Sequence, residues 1–160
     1  MDKLFKQTAY LLVIFSVTLF AISCGSNVTE AEIDETVREG AVVTLQNSGA
    51  QSYIISSING DGVEAEIGTN NPDMIMEIGR RYTFQNEAGA SSHPLEFRNA
   101  DREVLFGQRG TGLFGDNPDV DVVRSGDAVT FTLTPELATV LADYVCSFHP
   151  GMNGEITTVE

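Results

Sequence analysis

The sequence predicts an all-β domain, a sandwich or barrel, with one short helix late in the chain. From Ala41 onward, short runs of alternating apolar and polar residues are separated by glycine, asparagine and aspartate, which is typical of such folds. One helix-start signal, at Thr134, interrupts that pattern. With 160 residues and no internal repeat, the chain has room for a single compact domain preceded by a short leader.

Alternation identifies the strands. Val63, Ala65 and Ile67 alternate with two glutamates, so this segment can bury one face and expose the other. The Asn-Gly-Asp-Gly run at 59–62 tolerates positive φ angles and predicts a hairpin with the preceding strand, 53–58. Further strands are predicted at 81–84, 94–98, 103–106, 128–134 and 155–159. Four side chains are assigned to the core: Met74, Met76, Tyr82 and Phe84.

One segment predicts a helix. Thr134 followed by Pro135 is a helix start, since threonine caps a helix and proline is favoured at its first position. Leu137, Val140 and Leu141 would then face the sandwich.

Residues 107–120 predict a long loop, because four glycines surround the apolar pair Leu113 and Phe114. A lid, a docking loop and a simple crossover are all open interpretations of this segment.

Residues 1–23 have the composition of a secretory signal peptide. Two lysines near the start are followed by an apolar run, 10–22, and then by small and polar residues. The apolar run is 13 residues long, whereas a membrane-spanning helix needs roughly 20. We therefore expect export rather than a permanent transmembrane anchor.

The residues around Cys24 predict a membrane tether. Ala-Ile-Ser-Cys at 21–24 resembles a bacterial lipobox, in which the cysteine becomes the lipid-carrying N-terminus. The same small residues also suit ordinary signal peptidase, which would leave a soluble exported protein. Segment 24–40 is predicted to be a flexible acidic tether and 41–160 the folded domain. The expected location is a membrane surface facing the periplasm or the cell exterior.

The exported chain is strongly acidic. Without residues 1–23 it holds 22 acidic residues against seven arginines, a formal charge of −15. This balance argues against binding to nucleic acid or to anionic lipid and favours a cationic partner. Solubility in a saline setting explains it equally well.

The residues with metal-binding chemistry are few. Cys146, His149 and Met152 follow one another at intervals of three, just before the last predicted strand, and His93 precedes strand 94–98. A thiolate, two imidazoles and a weak thioether stabilise both oxidation states of copper. The sequence therefore predicts one copper ion and single-electron transfer rather than catalysis. Copper affinity should fall in acid, because the ligands bind in their deprotonated forms.

The same residues resemble those of the small blue copper proteins, the cupredoxins, and most closely the amicyanin subgroup. The resemblance rests on the C-x2-H-x2-M spacing of Cys146, His149 and Met152 and on the glycine two residues after that methionine. Residues 77–93 resemble the family's strand, turn and first ligand. The resemblance implies a Greek-key sandwich holding a type 1 copper centre, with His93, Cys146 and His149 in a plane and Met152 as the axial ligand.

One position departs from the family. Asparagine often follows the first histidine there and helps to hold the cysteine loop by hydrogen bonds, whereas this chain has Pro94. We expect the hydrogen bonds around the ligands to differ, but not the number of ligands.

The resemblance also implies a route for the electron. In that family the C-terminal histidine reaches the surface inside an apolar collar, so electrons should leave through His149 towards a basic redox partner such as a cytochrome. The expected collar comprises Phe148, Pro150, Gly151 and Leu95, with Leu113 and Phe114 as further candidates. The acids expected to steer the partner are Asp116, Asp119 and Asp121.

Other functions remain open from the sequence. A Cys–His hydrolase would use the Cys146 thiolate, but the chain has no evident third orienting group or oxyanion hole. A disulfide between Cys24 and Cys146 is disfavoured, because lipid and metal would occupy the two sulfurs. A copper carrier, or a cupredoxin-like module that binds proteins without redox chemistry, would share the fold and the ligands.

Overall fold

A computed structural model describes residues 37–160. The predicted signal peptide, Cys24 and most of the predicted tether lie outside these residues. The described chain forms two mixed β-sheets, of five and six strands, packed as a sandwich. This confirms the all-β fold class and its single short helix.

In chain order the elements are β1 (Arg38–Ser48), β2 (Ser52–Asn59), β3 (Val63–Ala65), β4 (Met74–Glu77), β5 (Arg80–Asn86), β6 (Leu95–Arg98), β7 (Val104–Gly107), β8 (Val123–Ser125), β9 (Ala128–Thr132), α1 (Pro135–Ala138), β10 (Asp143–Cys146) and β11 (Asn153–Val159). The five-stranded sheet has the order β2-β1-β5-β9-β8, and the six-stranded sheet β3-β4-β11-β10-β6-β7. Two pairs are parallel, β1 with β5 and β11 with β4. β1 begins three residues before the predicted domain boundary.

Aromatic side chains from both sheets fill the space between them. Phe84 of β5 meets Phe97 of β6 edge to face, with ring centres 5.0 Å apart, and Phe131 of β9 packs on Phe106 of β7 at 4.6 Å. Such pairs contribute about 0.5–1.5 kcal/mol beyond the area they bury. The four side chains assigned to the core are all buried, as predicted.

The predicted hairpin between β2 and β3 is wrong. β2 pairs with β1 in one sheet, whereas β3 pairs with β4 in the other. Gly60 and Gly62 do take positive φ angles, 115° and 82°, but their turn carries the chain between the sheets. Alternation shows which face of a strand is buried but not which strand lies beside it. Here the Gly62 carbonyl accepts hydrogen bonds from the Glu77 N–H and the Tyr82 hydroxyl, which hold this turn against β4 and β5.

The helix begins where the sequence predicts. Two side chains predicted to be buried are exposed, Val140 after the helix and Ile67 after β3. The Thr134 hydroxyl accepts a hydrogen bond from the Leu137 N–H at 3.1 Å, and Leu137 and Leu141 are buried. Val140 is exposed because α1 is only one turn long and cannot present a third residue to the core. Ile67 is exposed because β3 ends two residues before it.

The predicted site residues lie at one end of the sandwich. β5 ends there at Asn86, β6 begins at Leu95, and β10 ends at Cys146. We call this the His93 end. β1 begins at the opposite end, where Arg38 lies beside Arg80. Within residues 37–160 no helix has the length and hydropathy to cross a bilayer.

Residues 107–120 connect the two ends. The Gln108 N–H donates to the Leu95 carbonyl at the His93 end, and the Val120 carbonyl accepts from the Thr132 N–H at the last residue of β9. The Arg124 side chain donates to two carbonyls in the first part of the loop. The segment is therefore a crossover from β7 in one sheet to β8 in the other.

Candidate metal centre

Three of the four predicted ligands lie on one hairpin loop. β10 and β11 are antiparallel, and residues 146–152 connect them. The His149 N–H donates to the Cys146 carbonyl at 3.3 Å, and the Met152 N–H donates to the His149 carbonyl at 2.9 Å. The Cys146 N–H donates in turn to the Met152 carbonyl at 3.0 Å. Intervals of three residues thus become two successive turns, closed by a bond between the loop's first and last residues.

Strand pairing brings His93 to this loop. β6 is antiparallel to β10 with Leu95 opposite Cys146, so the residue two before Leu95 stands beside the cysteine although 53 residues separate them. The Cys146 Sγ atom lies 3.9 Å from His93 Nδ1 and 3.5 Å from His149 Nδ1. The ligand atoms of these three residues all lie within 4.8 Å of one another.

These separations fit a metal ion. With bonds of about 2.3 Å to sulfur and about 2.0–2.1 Å to nitrogen, as for zinc, ligand sulfur and nitrogen atoms stand roughly 3.6–3.8 Å apart. The two observed sulfur–nitrogen distances, 3.5 and 3.9 Å, bracket that span. His93, Cys146 and His149 therefore lie close enough to bind one metal ion.

The candidate ligands differ in exposure. Cys146 is 1% exposed and Met152 is fully buried, whereas both histidines are half-buried. Phe148, between the cysteine and the second histidine, is exposed. Met152 belongs to the buried core, and its backbone bonds place it at the end of the same loop. A bound ion would thus have the Cys146 sulfur on its buried side and imidazole edges towards the surface.

The electrostatics of the cluster favour a neutral first histidine. Burial lowers the pKa of His93, and the charge that His149 would carry lowers it further. The two imidazole centres are only 4.8 Å apart, so protonating both would be unfavourable. Neutral imidazole is the form that binds metals, so metal and proton compete at these atoms.

Three side chains that sequence reasoning missed hold His93 in place. The Tyr53 hydroxyl and the Asn86 amide both donate to the His93 carbonyl, at 2.6 and 2.7 Å. The Asn47 amide nitrogen lies 3.4 Å from His93 Nε2. One signal for Asn86 was present in the sequence: it continues the buried alternation of β5, where a polar residue is out of place. The other two carry no local signal.

Pro94 contacts the cysteine loop through its backbone carbonyl. The Pro94 carbonyl accepts from the Ser147 N–H at 2.9 Å, which ties the first ligand's segment to the cysteine loop through the backbone. Asn71, in the connection between β3 and β4, also holds the loop and links it to β2 of the other sheet. The Asn71 amide donates to the Gly151 carbonyl at 2.9 Å, while its oxygen accepts from the Tyr53 N–H.

Fold and cluster together define an all-β sandwich with a His, Cys, His site for a metal ion at one end. Comparisons with protein-family models, curated proteins and solved structures found no match to this chain.

Proposed function

We propose that this protein is an exported type 1 copper protein that shuttles single electrons between redox partners. His93, Cys146 and His149 would hold the ion, with Met152 as a weak fourth ligand. The supporting observation is the cluster itself, a buried thiolate-forming sulfur within 3.9 Å of two imidazole nitrogens. Copper bound there would supply a one-electron couple, because this ligand set suits both of its oxidation states.

The surrounding chain supports electron transfer over catalysis. The loop 146–152 is closed by its own hydrogen bonds, and the first histidine is held by Tyr53 of β2 and Asn86 of β5, two strands of the five-stranded sheet. Such a frame resists rearrangement when the charge of the ion changes. The cysteine is buried, so a substrate cannot approach its sulfur from solvent, while the second histidine reaches the surface beside an exposed phenylalanine.

The partner we propose is a basic redox protein such as a cytochrome, and the location a membrane surface reached through lipid on Cys24. β1 begins at Arg38, roughly 30 Å along the strand from Asn47, which contacts His93. A tether joined there would attach to the sandwich at the end opposite His93. Mass spectrometry of the N-terminal peptide tests the anchor: diacylglyceryl on Cys24 supports it, and an unmodified Cys24 reduces the protein to a soluble exported one.

The absorption spectrum of the copper-loaded protein tests the function. We expect an intense visible band from thiolate-to-copper charge transfer, one copper per chain, and loss of the band in Cys146→Ser. Ser147→Ala, one residue along, is the matched control and should stay coloured. A colourless wild type at full copper occupancy would refute the proposal. A coloured protein that gives up copper within seconds to a chelator, and exchanges no electrons, would indicate a carrier instead.

A further inference from the structure

A chain of side-chain amides runs from the His93 carbonyl across the sandwich. The Asn86 Nδ2 group donates to the His93 carbonyl at 2.7 Å and to Gln108 Oε1 at 2.8 Å. Gln108 Oε1 also accepts from the Leu95 N–H, and Gln108 Nε2 donates to the Asp127 carbonyl, each at 2.8 Å. The chain thus joins β5 and the β8–β9 turn of one sheet to β6 and β7 of the other.

The direction of every amide in this chain is determined. Gln108 has a backbone donor on its oxygen side and a backbone acceptor on its nitrogen side, so it cannot be reversed. Asn86 then faces two acceptors and must present its nitrogen to them. Its own oxygen is left buried without a hydrogen-bond partner among residues 37–160. An unpaired buried oxygen is unfavourable for folding, so stability alone does not explain an asparagine here.

The His93 carbonyl is fully occupied. It accepts from Asn86 and from the Tyr53 hydroxyl at 2.6 Å, which uses both of its lone pairs. Pro94, which follows, has no N–H and no side-chain donor, so it cannot tether this segment by a side-chain bond. Within its own segment His93 is held by the bond from its N–H to the Gly89 carbonyl at 2.8 Å, while its carbonyl is held by Tyr53 and Asn86 from other strands.

We propose that Asn86, held by Gln108, is a positioning residue that fixes His93 relative to Cys146. It would supply, from β5, the tether that a side chain at position 94 cannot provide. This inference rests on the proposed function, because the role of Asn86 would be to hold the first ligand, His93, while the charge of the bound ion changes. Because the chain of amides ties both sheets to the His93 carbonyl, it holds the backbone that carries the imidazole.

The test uses Asn86→Leu, which removes both donors at similar volume. We expect it to bind copper with an altered visible band ratio and electron paramagnetic resonance spectrum, and with an affinity about 10–100-fold weaker. Gln108→Leu should change the spectra in the same direction. The double variant should bind copper no more weakly than Asn86→Leu alone, because the two residues act on His93 through one hydrogen bond. Gln108 is only half-buried, so its variant keeps the test open should Asn86→Leu not fold.

The control is Thr83→Val, on the same strand as Asn86 but away from the site. It removes the hydrogen bond between the Thr83 hydroxyl and the Thr130 hydroxyl of β9. It should lower thermal stability without changing the copper spectra. Wild-type spectra and affinity in both Asn86→Leu and Gln108→Leu would overturn the inference. A metal-free readout separates the two proposals: Asn86→Leu should speed hydrogen exchange at the Ser147 amide relative to Thr83→Val. If the wild type is colourless with copper but this exchange changes, the proposed function fails and the positioning role stands.

Discussion

The guanidinium carbon of Arg109 lies 4.7 Å from the centre of the Phe148 ring, over its face. This contact joins the crossover 107–120 to the hairpin loop that carries Cys146 and His149. The segments 47–51, 88–94 and 147–151, which include both histidines of the cluster and Asn47, contain no charged residue. In a chain of formal charge −14, the His93 end thus presents neutral loops flanked by Arg109 and by the exposed acids Glu87 and Asp127. It is Arg109, not Leu113 or Phe114, that reaches the predicted collar.

Removing the Arg109 charge should favour a basic partner. Arg109→Gln is expected to leave the copper band unchanged and to accelerate electron transfer with a basic cytochrome at low salt by about two- to threefold, because like charges would no longer meet at this face. Stopped-flow rates at several ionic strengths measure it. Arg102→Gln, an exposed arginine at the opposite end, is the control and should change the rate less. Equal effects of both variants would contradict a docking face at His149.

Acids near the His93 end should steer the partner more than those at the opposite end. Glu87 is exposed and directly follows Asn86, whereas Asp121 pairs with Arg81 at 2.9 Å, roughly 17 Å along β5 from Asn86. Glu87→Lys should therefore slow association and flatten its dependence on salt, and Asp121→Lys should do so weakly. A larger effect of Asp121→Lys would move the docking face away from the cluster.

A bulky charge beside His149 should block close approach. Pro150 is exposed in the hairpin loop, so Pro150→Lys is expected to lower the electron-transfer rate about tenfold or more while the copper band persists, because a partner could no longer shed water there. The matched control is Pro118→Lys, the same change at an exposed proline in the crossover. Rates unaffected by Pro150→Lys at all salt concentrations would exclude transfer through this face.

Met152 should tune the reduction potential of the bound copper rather than be needed for copper binding. Met152→Leu keeps the volume of a fully buried side chain but removes a weak donor that favours Cu(II), so the copper band should persist and the reduction potential should rise. Cyclic voltammetry measures the potential. Met74→Leu, in the core of β4, is the control and should leave it unchanged. Loss of copper binding in Met152→Leu alone would make the thioether an essential ligand.

Acid should weaken one ion-pair cluster at the end opposite the site. Glu77 accepts from Arg80 and Arg38, each at 2.6 Å, and these bonds lower its pKa, with the Arg80 bond as the largest cause. A lowered pKa means that the stabilisation is complete above the unfolded value of about 4.3 and is lost as pH falls through the folded value. Glu77→Gln should lower the melting temperature at pH 7 and converge on wild type in acid. Glu66→Gln, at an exposed acid, should show no such convergence.

The sequence by itself determined what neighbouring residues can encode. The two turns of loop 146–152 follow from ligand intervals of three, and the start of α1 follows from Thr134 and Pro135, because these structures are closed by bonds between residues a few positions apart. Alternation likewise identified the buried face of β5 at Tyr82 and Phe84, although the predicted strand ended before the buried Asn86. Composition is also independent of the fold, and the acidic charge argues against binding to nucleic acid or to anionic lipid.

Only the tertiary structure decided which strands lie together and what surrounds the cluster. The pairing of β3 with β4, the reach of Asn47 and Asn71 to the ligand segments, and the position of Asp121 far from His149 all depend on strand register across the sandwich. Register is set by the packing of both sheets at once, so no local pattern reports it. The spacing of Cys146, His149 and Met152 is local and is visible in the sequence, whereas His93 lies 53 positions from Cys146 and was joined to them through the family resemblance. The side chains that hold His93 could not be predicted, because they reach it from distant strands.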